Sequence, residues 1–280
     1  DASFEAYIRY LVGKNVSSRL PSNSKIISWQ EFQNLEKAFY KAIKDSDKGI
    51  IIYGCEFLIK YDTYLSMHIT DIDADLLITP HKTLLNGKHN YSNCDKHNFK
   101  KGVSFRYKDI FRFIDDYNSD INFLALLSHN VIESQNLLKT LGHVDRLKIK
   151  LHPASDENHF DHYVKNNWSY IYTDLYELFK KYKIVFVSPM SGTALEAVAC
   201  GVSVVIIASS DRLNVNPLLD FGRGEIWDTA FDKNELQVKM NTLLEFRMSN
   251  PKEIKSISKW YKDNFFIEPT EKNILKAFDL

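Results

Sequence analysis

Glycine, proline and cysteine are all scarce in this sequence, and each scarcity excludes something. Ten glycines and seven prolines in 280 residues rule out collagen-like and low-complexity chains, whose backbones depend on those two residues. Three cysteines, Cys55, Cys94 and Cys200, lie far apart and form no C-x-x-C pair. That spacing excludes a disulfide scaffold and points to a reducing compartment. Net charge is missing as well. Thirty-six basic residues balance 36 acidic ones, so there is no global positive field and no nucleic-acid partner is expected. No apolar run approaches the ~20 residues of a membrane span, and no secretory leader is legible, so a cytoplasmic location is expected. The chain opens on Asp1 without Met, as a trimmed or excised domain would.

Aromatic residues, by contrast, are plentiful, with 15 Tyr and 18 Phe, as in a packed globular chain. The length suits one large or two ordinary domains, at roughly 100–200 residues each. Phe4, Tyr7, Ile8, Tyr10, Leu11 and Val12 predict an opening helix, followed by a Ser-rich loop. Ser28-Trp-Gln-Glu31 fits a capping box, with Phe32, Leu35, Phe39 and Ala42 at helical spacing behind it. Residues 48–54 predict a strand, making 25–60 a strand–helix–strand unit, residues 71–80 end in another short strand, and residues 86–104 read as a long loop. From residue 121 strand and helix patterns alternate through residue 246, which predicts a parallel, doubly wound sheet. Ile254, Ile257, Trp260 and Tyr261 continue a helical spacing into the tail.

The rest of the chain is organised around residues 147–208. Ile184–Val187 and Val202–Ala208 are β-branched apolar runs without alternation, as expected of parallel strands covered on both faces. Between them Ser188-Pro-Met-Ser-Gly-Thr193 forms a polar turn that opens a short helix. Such a turn offers backbone N–H groups at the carboxyl edge of a sheet, where α/β folds hold phosphorylated ligands. Just upstream, Leu147-Lys-Ile-Lys-Leu-His-Pro153 reads as a strand ending in His-Pro.

Lys150-Leu-His-Pro153 followed by Ser191-Gly-Thr-Ala-Leu-Glu-Ala-Val-Ala-Cys-Gly201 resembles the donor-binding half of GT-B glycosyltransferases. The likeness is to the bacterial sialyltransferase, Kdo-transferase and capsule-synthesis groups, and covers residues 121–246. It implies an α/β, GT-B-like fold of two Rossmann-like units, with a donor-binding C-terminal parallel sheet. The expected division is an acceptor-side unit at 1–118, a nucleotide-sugar unit at 119–250, and helices at 251–280 that cross back to the first unit. The implied activity is metal-independent transfer of an acidic sugar, Kdo or sialic-acid-like, from a CMP-sugar to a glycan or glycolipid acceptor bound in the cleft. The product would be a bacterial surface glycan such as capsule or lipopolysaccharide, made at the inner face of the membrane with peripheral association. Three other activities fit the same likeness: a CDP-polyol phosphate transferase of the teichoic-acid type, a UDP-sugar transferase, and an epimerase. A non-catalytic nucleotide-binding or scaffold module fits as well. No cofactor is implied.

Several residues are candidates for the chemistry. His152 could donate to a donor phosphate or simply close a strand end, and Lys150 and Pro153 frame it. Ser188, Ser191, Gly192 and Thr193 suit an anion better than a cap, which needs one hydroxyl. Glu196 could bind ribose hydroxyls, as the resemblance implies, or complete a capping box with Thr193. Asp71, Asp73 and Asp75 could supply a general base, with Glu56 in reserve. A metal role is the alternative for the three aspartates, and turn formation a third. His81, Lys82, Ser104 and Arg106 could meet an acidic acceptor or the donor carboxylate. His143, His159 and His162 lack a metal-ligand spacing with cysteine, so no zinc site is expected.

Overall fold

The computed structural model describes residues 2–31, 34–56, 79–86, 99–113, 122–211 and 214–280, with backbone alone at 2 and 34. The chain divides into two compact units, Asp1–Lys108 with Asp263–Leu280, and Asp109–Lys262.

The first unit holds a parallel sheet in the order β1 (Lys25–Trp29), β2 (Ile51–Cys55), β3 (Lys82–Leu85), β4 (Phe99–Lys101). Helices α1 (Ala2–Arg19) and α2 (Asn34–Lys44) pack together, and Tyr40, Ile43, Ile50 and Ile52 form a cluster there with Val16 and Ile26. Their close approach depends on Gly13, where a Cβ would lie 2.7 Å from the Cβ of Ala42 and 2.9 Å from the carbonyl oxygen of Phe39. Gly13 and Ser17 face inward, whereas Phe4, Tyr7, Ile8, Leu11 and Val12 are exposed. Of the residues that predict this helix, Tyr10 is half-buried and donates its hydroxyl to Asp45 at 3.0 Å, while Gly13, Val16 and Ser17 seat the helix.

The second unit runs β5 (Phe123–Leu126), α3 (Val131–Thr140), β6 (Lys148–Lys150), β7 (Ser169–Tyr170), α4 (Leu175–Lys181), β8 (Ile184–Val187), α5 (Thr193–Ala199), β9 (Ser203–Ile207), β10 (Trp227–Ala230), α6 (Lys233–Ser249). All pairings are parallel, in the order β10-β9-β8-β5-β6-β7. The sheet thus grows from β5 towards β7, then restarts at β8 and grows the other way. Its central strands β8 and β9 are buried throughout, as their unbroken apolar runs predict. One face carries a cluster built from Ala125, Phe186, Val205 and Ile207 with Leu137 and Leu138 of α3 and Leu236 and Met240 of α6. Asp228 of β10 is buried, paired with Lys239 at 2.8 Å and Arg223 at 3.4 Å.

Helix α7 (Pro251–Phe265) begins in this second unit. Trp260 packs tilted against Phe221 with ring centroids 4.4 Å apart, and the Tyr261 hydroxyl donates to the carbonyls of Leu219 and Phe221, both at 2.8 Å. Gly222 holds φ +73°, and a Cβ there would sit 2.7 Å from Ile257. Both the conformation and the space therefore demand glycine. The chain then rejoins the first unit, where α8 (Glu271–Phe278) packs Ala277 and Phe278 against Tyr53, Cys55 and Leu84. Among the described residues no helix is long and apolar enough to cross a membrane.

Some local expectations change. Ser28 lies inside β1 rather than capping a helix, and α2 starts at Asn34, where the Glu36 carboxylate accepts the Glu31 N–H at 2.8 Å. The long loop at 86–104 gives way at Phe99–Lys101 to β4, which pairs with β3. Neither β7 nor β10 has an apolar pattern to announce it. β7 is two residues long, and β10 carries the buried Asp228.

The last helix is fastened by one residue. Asp279 accepts from Lys100, from Lys82 at 2.6 Å and from the Tyr53 hydroxyl at 3.1 Å, while its own carbonyl accepts from Lys25 at 2.6 Å. Each of the four strands supplies one donor. Lys100 first, then Lys82, hold the Asp279 carboxyl well below the usual carboxylate range. A depressed carboxyl stabilises the fold above its unfolded value, ~3.9, and loses that effect as pH falls towards the folded value. Asp279→Asn should therefore lower the melting temperature at pH 7. Melting curves of parent and variant should converge as pH drops below about 4, and 1 M salt should narrow the gap because the pairs are partly exposed. Equal midpoints at pH 7 in low salt would show that Asp279 fastens nothing.

Candidate functional site

Strand register fixes the level at which the loops of the second unit leave the sheet. Leu126 of β5 lies opposite Val187 of β8 on one side and Lys150 of β6 on the other. The three segments that follow, Ser128–Asn130, Leu151–Pro153 and Ser188–Thr193, therefore begin side by side at the carboxyl edge. The reversal of strand order falls between β5 and β8, the place where open α/β sheets leave a crevice for ligands.

The loop after β5 is tightly built. Asn130 caps α3 by accepting the N–H groups of Ile132 and Glu133, at 3.1 and 3.3 Å. Ser128 donates its N–H to the Ser134 hydroxyl at 3.0 Å, and that hydroxyl donates back to the Ser128 carbonyl at 3.1 Å. His129 stands exposed at the apex, its ring centroid 5.8 Å from that of His152 at an interplanar angle of 61°. His152 is half-buried, and its Nδ1 accepts the Ala154 N–H at 3.2 Å. An accepting Nδ1 leaves the neutral ring its proton on Nε2, which makes Nε2–H a donor. Lys150 is engaged elsewhere, donating to the Thr173 carbonyl at 2.8 Å. Pro153 is exposed beyond the ring.

The loop after β8 opens with Ser188, which is 1% exposed, and whose hydroxyl meets no hydrogen-bond partner among the described residues. An unsatisfied buried hydroxyl costs about 1–3 kcal/mol. Met190 adopts the left-handed region at φ +63°, and its N–H is held by the Val215 carbonyl at 2.8 Å. Gly192 is the residue before α5 and is right-handed at φ −58°, ψ −20°, with no side chain capping the helix. The capping-box alternative for Thr193 and Glu196 is therefore not formed. The Glu196 carboxylate, buried at 9% exposure, instead accepts the Tyr176 hydroxyl at 2.7 Å. Ser191, Gly192 and Thr193 are half-buried.

Beside this turn lies a cavity of ≈ 220 Å³. Ile132, Pro189 and Ile207 give it apolar walls, while Asn136, Lys139 and Asn214 give it polar ones. The Asn214 amide pairs with the backbone of Ser209, accepting its N–H at 3.0 Å and donating to its carbonyl at 2.5 Å. A second cavity of ≈ 230 Å³ shares Pro189 and Asn214 and reaches Arg223 and Thr229. The two histidines do not line either cavity; they mark the adjoining stretch of the same edge.

Other candidates fall elsewhere. In the first unit, His81 Nδ1 accepts the Ile52 N–H at 3.0 Å, and burial together with Lys44 lowers its pKa. Lys82 is paired with Asp279, and Arg106 is exposed in a 3-10 turn. Ser104 is buried, donating to the Asn86 carbonyl and accepting the Ile267 N–H at 3.0 Å. Glu56 is buried just past β2. Asp71, Asp73 and Asp75 lie outside the described residues. Among the described residues no group of three His, Cys, Asp or Glu side chains could hold a metal ion. His129 is the residue that sequence reasoning missed. Its signal is Ser-His-Asn between a buried strand and a helix, the pattern of a capped strand–helix turn at a carboxyl edge.

No protein-family model matches the sequence, and no curated protein matches it. Solved structures do match. MurG of Acinetobacter baumannii superposes with a TM-score of 0.50 at 9% identity, over 96% of this chain and 77% of its own. CalG4, the calicheamicin glycosyltransferase, gives 0.51 at 10% identity, over 99% of this chain and 78% of its own. The kitacinnamycin glycotransferase gives 0.50 at 11% identity, over 91% and 74%. The fold is GT-B-like. Two parallel sheets with flanking helices, each in its own unit, are what the chain has in common with them.

The right-handed backbone of Gly192 suits any residue, so a side chain there tests the space over the turn rather than the fold. Gly192→Val should keep a native far-ultraviolet circular dichroism spectrum and lose binding of CMP or UDP. A variant that binds either nucleotide as well as the parent would exclude this turn as the ligand site.

Proposed function

We propose that this chain is a glycosyltransferase that holds a nucleotide-activated sugar at the carboxyl edge of the second sheet. The observation that carries the proposal is the reversal between β5 and β8, with His152, the Ser188–Thr193 turn and a cavity gathered at that one edge. The GT-B-like fold supports it, since CalG4 is the calicheamicin glycosyltransferase and the kitacinnamycin protein a glycotransferase.

The favoured donor is a CMP-linked acidic sugar, Kdo or sialic-acid-like. No Lys or Arg occurs from Ile184 to Ser210, so this turn offers N–H groups and hydroxyls but no fixed cation. One phosphate asks less of such a site than two. Lys150, His152 and Pro153, with Ser188, Ser191, Gly192, Thr193 and Glu196, are assigned to the donor. His152 is placed on its phosphate as a hydrogen-bond donor that steadies the departing charge. The acceptor, a surface glycan or glycolipid, is assigned to the first unit. There Asp71, Asp73 or Asp75 takes the hydroxyl proton, Glu56 stands in reserve, and His81, Lys82 and Arg106 remain the weaker contacts. Such acceptors imply work at the inner face of a bacterial membrane, with peripheral association.

His152→Ala should lower turnover by ~10²–10⁴-fold, the usual loss for an acid–base or charge-stabilising group, with a smaller loss in CMP affinity. The assay is transfer from CMP-Kdo and CMP-sialic acid against UDP-hexoses, beside a thermal-shift panel of CMP, CDP, UDP and GDP. At 100 times its Kd a ligand that binds only the folded state adds about 2.7 kcal/mol. Transfer from a UDP-hexose alone, a response to CDP-glycerol alone, or unchanged turnover in the variant would overturn the CMP-sugar assignment. No response to any nucleotide would leave a scaffold.

Because phosphate stabilisation is assigned to N–H groups, hydroxyls and an imidazole, activity should survive EDTA. Loss on chelation that Mg²⁺ or Mn²⁺ restores would return Asp71, Asp73 and Asp75 to a metal role.

A further inference from the structure

We propose that the outer face of α1 is a docking surface for an anionic lipid bilayer. That a membrane is the place of work rests on the glycolipid acceptor proposed above; the surface itself rests on spacing, exposure and charge. Phe4, Tyr7, Ile8, Leu11 and Val12 recur at i, i+3, i+4, i+7 and i+8, which puts them on one face of a helix that turns about 100° per residue. They are 65, 58, 42, 43 and 43% exposed. The buried Gly13 and Ser17 lie on the opposite face, and Gly13 is where α1 meets Phe39 and Ala42 of α2. Packing among the described residues thus uses small side chains, and the large apolar ones are left outside.

Charge selects the occupant. On the same helical projection Arg9 and Lys14 fall on the two margins of the stripe, and Arg19 prolongs it. All three are exposed, and none enters an ion pair among the described residues. Lys14 lies 5.7 Å from the centre of the Tyr10 ring, and Asp45 is already taken by Lys41 and the Tyr10 hydroxyl. Glu5 is the one acid in the helix sequence. Apolar side chains bordered by lysine and arginine suit negative headgroups over apolar acyl chains. A second copy of the chain fits worse. Isologous contact would set these cations against their own equivalents. The stripe also offers only on the order of 500 Å², if side chains of ~150–250 Å² are about half exposed, against ~800 Å² per partner in a stable protein interface. No described helix can cross a membrane, so α1 lies in its plane with the apolar side chains past the headgroups. Beside Val12 a groove of ≈ 330 Å³, walled by Leu35 and Phe39 of α2, extends the apolar surface.

The test is flotation of the protein with vesicles of phosphatidylcholine, alone or with phosphatidylglycerol as about one third of the lipid. The parent should float with the anionic vesicles and stay behind with the neutral ones. Ile8→Ser combined with Leu11→Ser should weaken binding about tenfold or more. Arg9→Gln or Lys14→Gln should weaken it about fivefold each, the effect of one cation near an anionic surface. These side chains are exposed, so the melting temperature and the response to nucleotides should stay those of the parent. A Tyr7→Trp variant should be quenched by brominated acyl chains, which reports insertion and not mere attraction to charge; no quenching would overturn the proposal. Undiminished flotation of the Ile8→Ser/Leu11→Ser variant overturns it too, as does equal flotation of the parent with neutral and anionic vesicles. Failure to float, together with a sedimenting dimer that the same double variant breaks, overturns it in favour of a second copy. A nucleotide response without flotation overturns the docking surface and keeps the donor site. Flotation that depends on the stripe, with no response to any nucleotide, supports the surface and removes the glycosyltransferase reading instead.

Discussion

Parallel pairing is the constraint on which the second unit depends. A parallel strand cannot be joined to its neighbour by a hairpin, so every strand is left at its carboxyl end and the next entered at the opposite edge. With crossovers of one hand, a sheet that grows first one way and then the other places its helices on opposite faces. Here α3 and α6 share one apolar cluster, and α5 is absent from it. The carboxyl ends of β5 and β8 are consequently adjacent, while the helices that follow them diverge. The space between those helices is a product of topology, and the loops of Ser128–Asn130, His152 and Ser188–Thr193 meet at it because Val187, Leu126 and Lys150 are in register.

How much of this was legible in the sequence depends on whether burial or pairing made the signal. Ile184–Val187 and Ser203–Ile207 declare themselves, since a strand covered on both faces must be apolar at every position. The His-Pro strand end and the hydroxyl-rich turn were legible for the same reason, being the polar interruptions of those runs. Phe99–Lys101 and Trp227–Ala230 were not, because a short strand at a sheet margin needs only a partner backbone, and its side chains follow other demands. The Thr193–Glu196 capping box failed for a further reason. The pattern was present, but the helix takes Gly192 as its cap, which puts Thr193 inside the first turn, and the Glu196 carboxylate accepts from Tyr176 instead. His129 was illegible because its neighbour is 23 positions away in sequence and one strand away in space. The opening helix shows the opposite failure. Its pattern was read correctly as a helix, yet Gly13, Val16 and Ser17 make the contact, while Phe4, Tyr7, Ile8, Leu11 and Val12 stay exposed.

The distribution of positive charge follows a consistent division. Lys25, Lys82 and Lys100 converge on Asp279, Lys239 and Arg223 on Asp228, and Lys150 on a backbone carbonyl. These cations hold segments of chain together. At the reversal point the groups offered are imidazoles, hydroxyls and backbone N–H groups, with Lys139 on the wall of the adjoining cavity. Such donors bind anions through geometry more than through long-range field, which agrees with a chain whose formal charge is zero.

The strained residue in the turn completes the picture. Left-handed backbone costs a residue with a side chain about 1–2 kcal/mol, and such conformations persist only where surrounding structure enforces them. Met190 is held there by its hydrogen bond to Val215, across the connection from β9 to β10. Asn214, one residue earlier, closes that connection on Ser209 and lines both cavities together with Pro189. The turn after β8 and the connection after β9 are thereby one body. The cavity walls and the Ser188–Thr193 turn are placed by the same few bonds, so a change at Met190 or Asn214 acts on the shape of the cavity and on the turn at once.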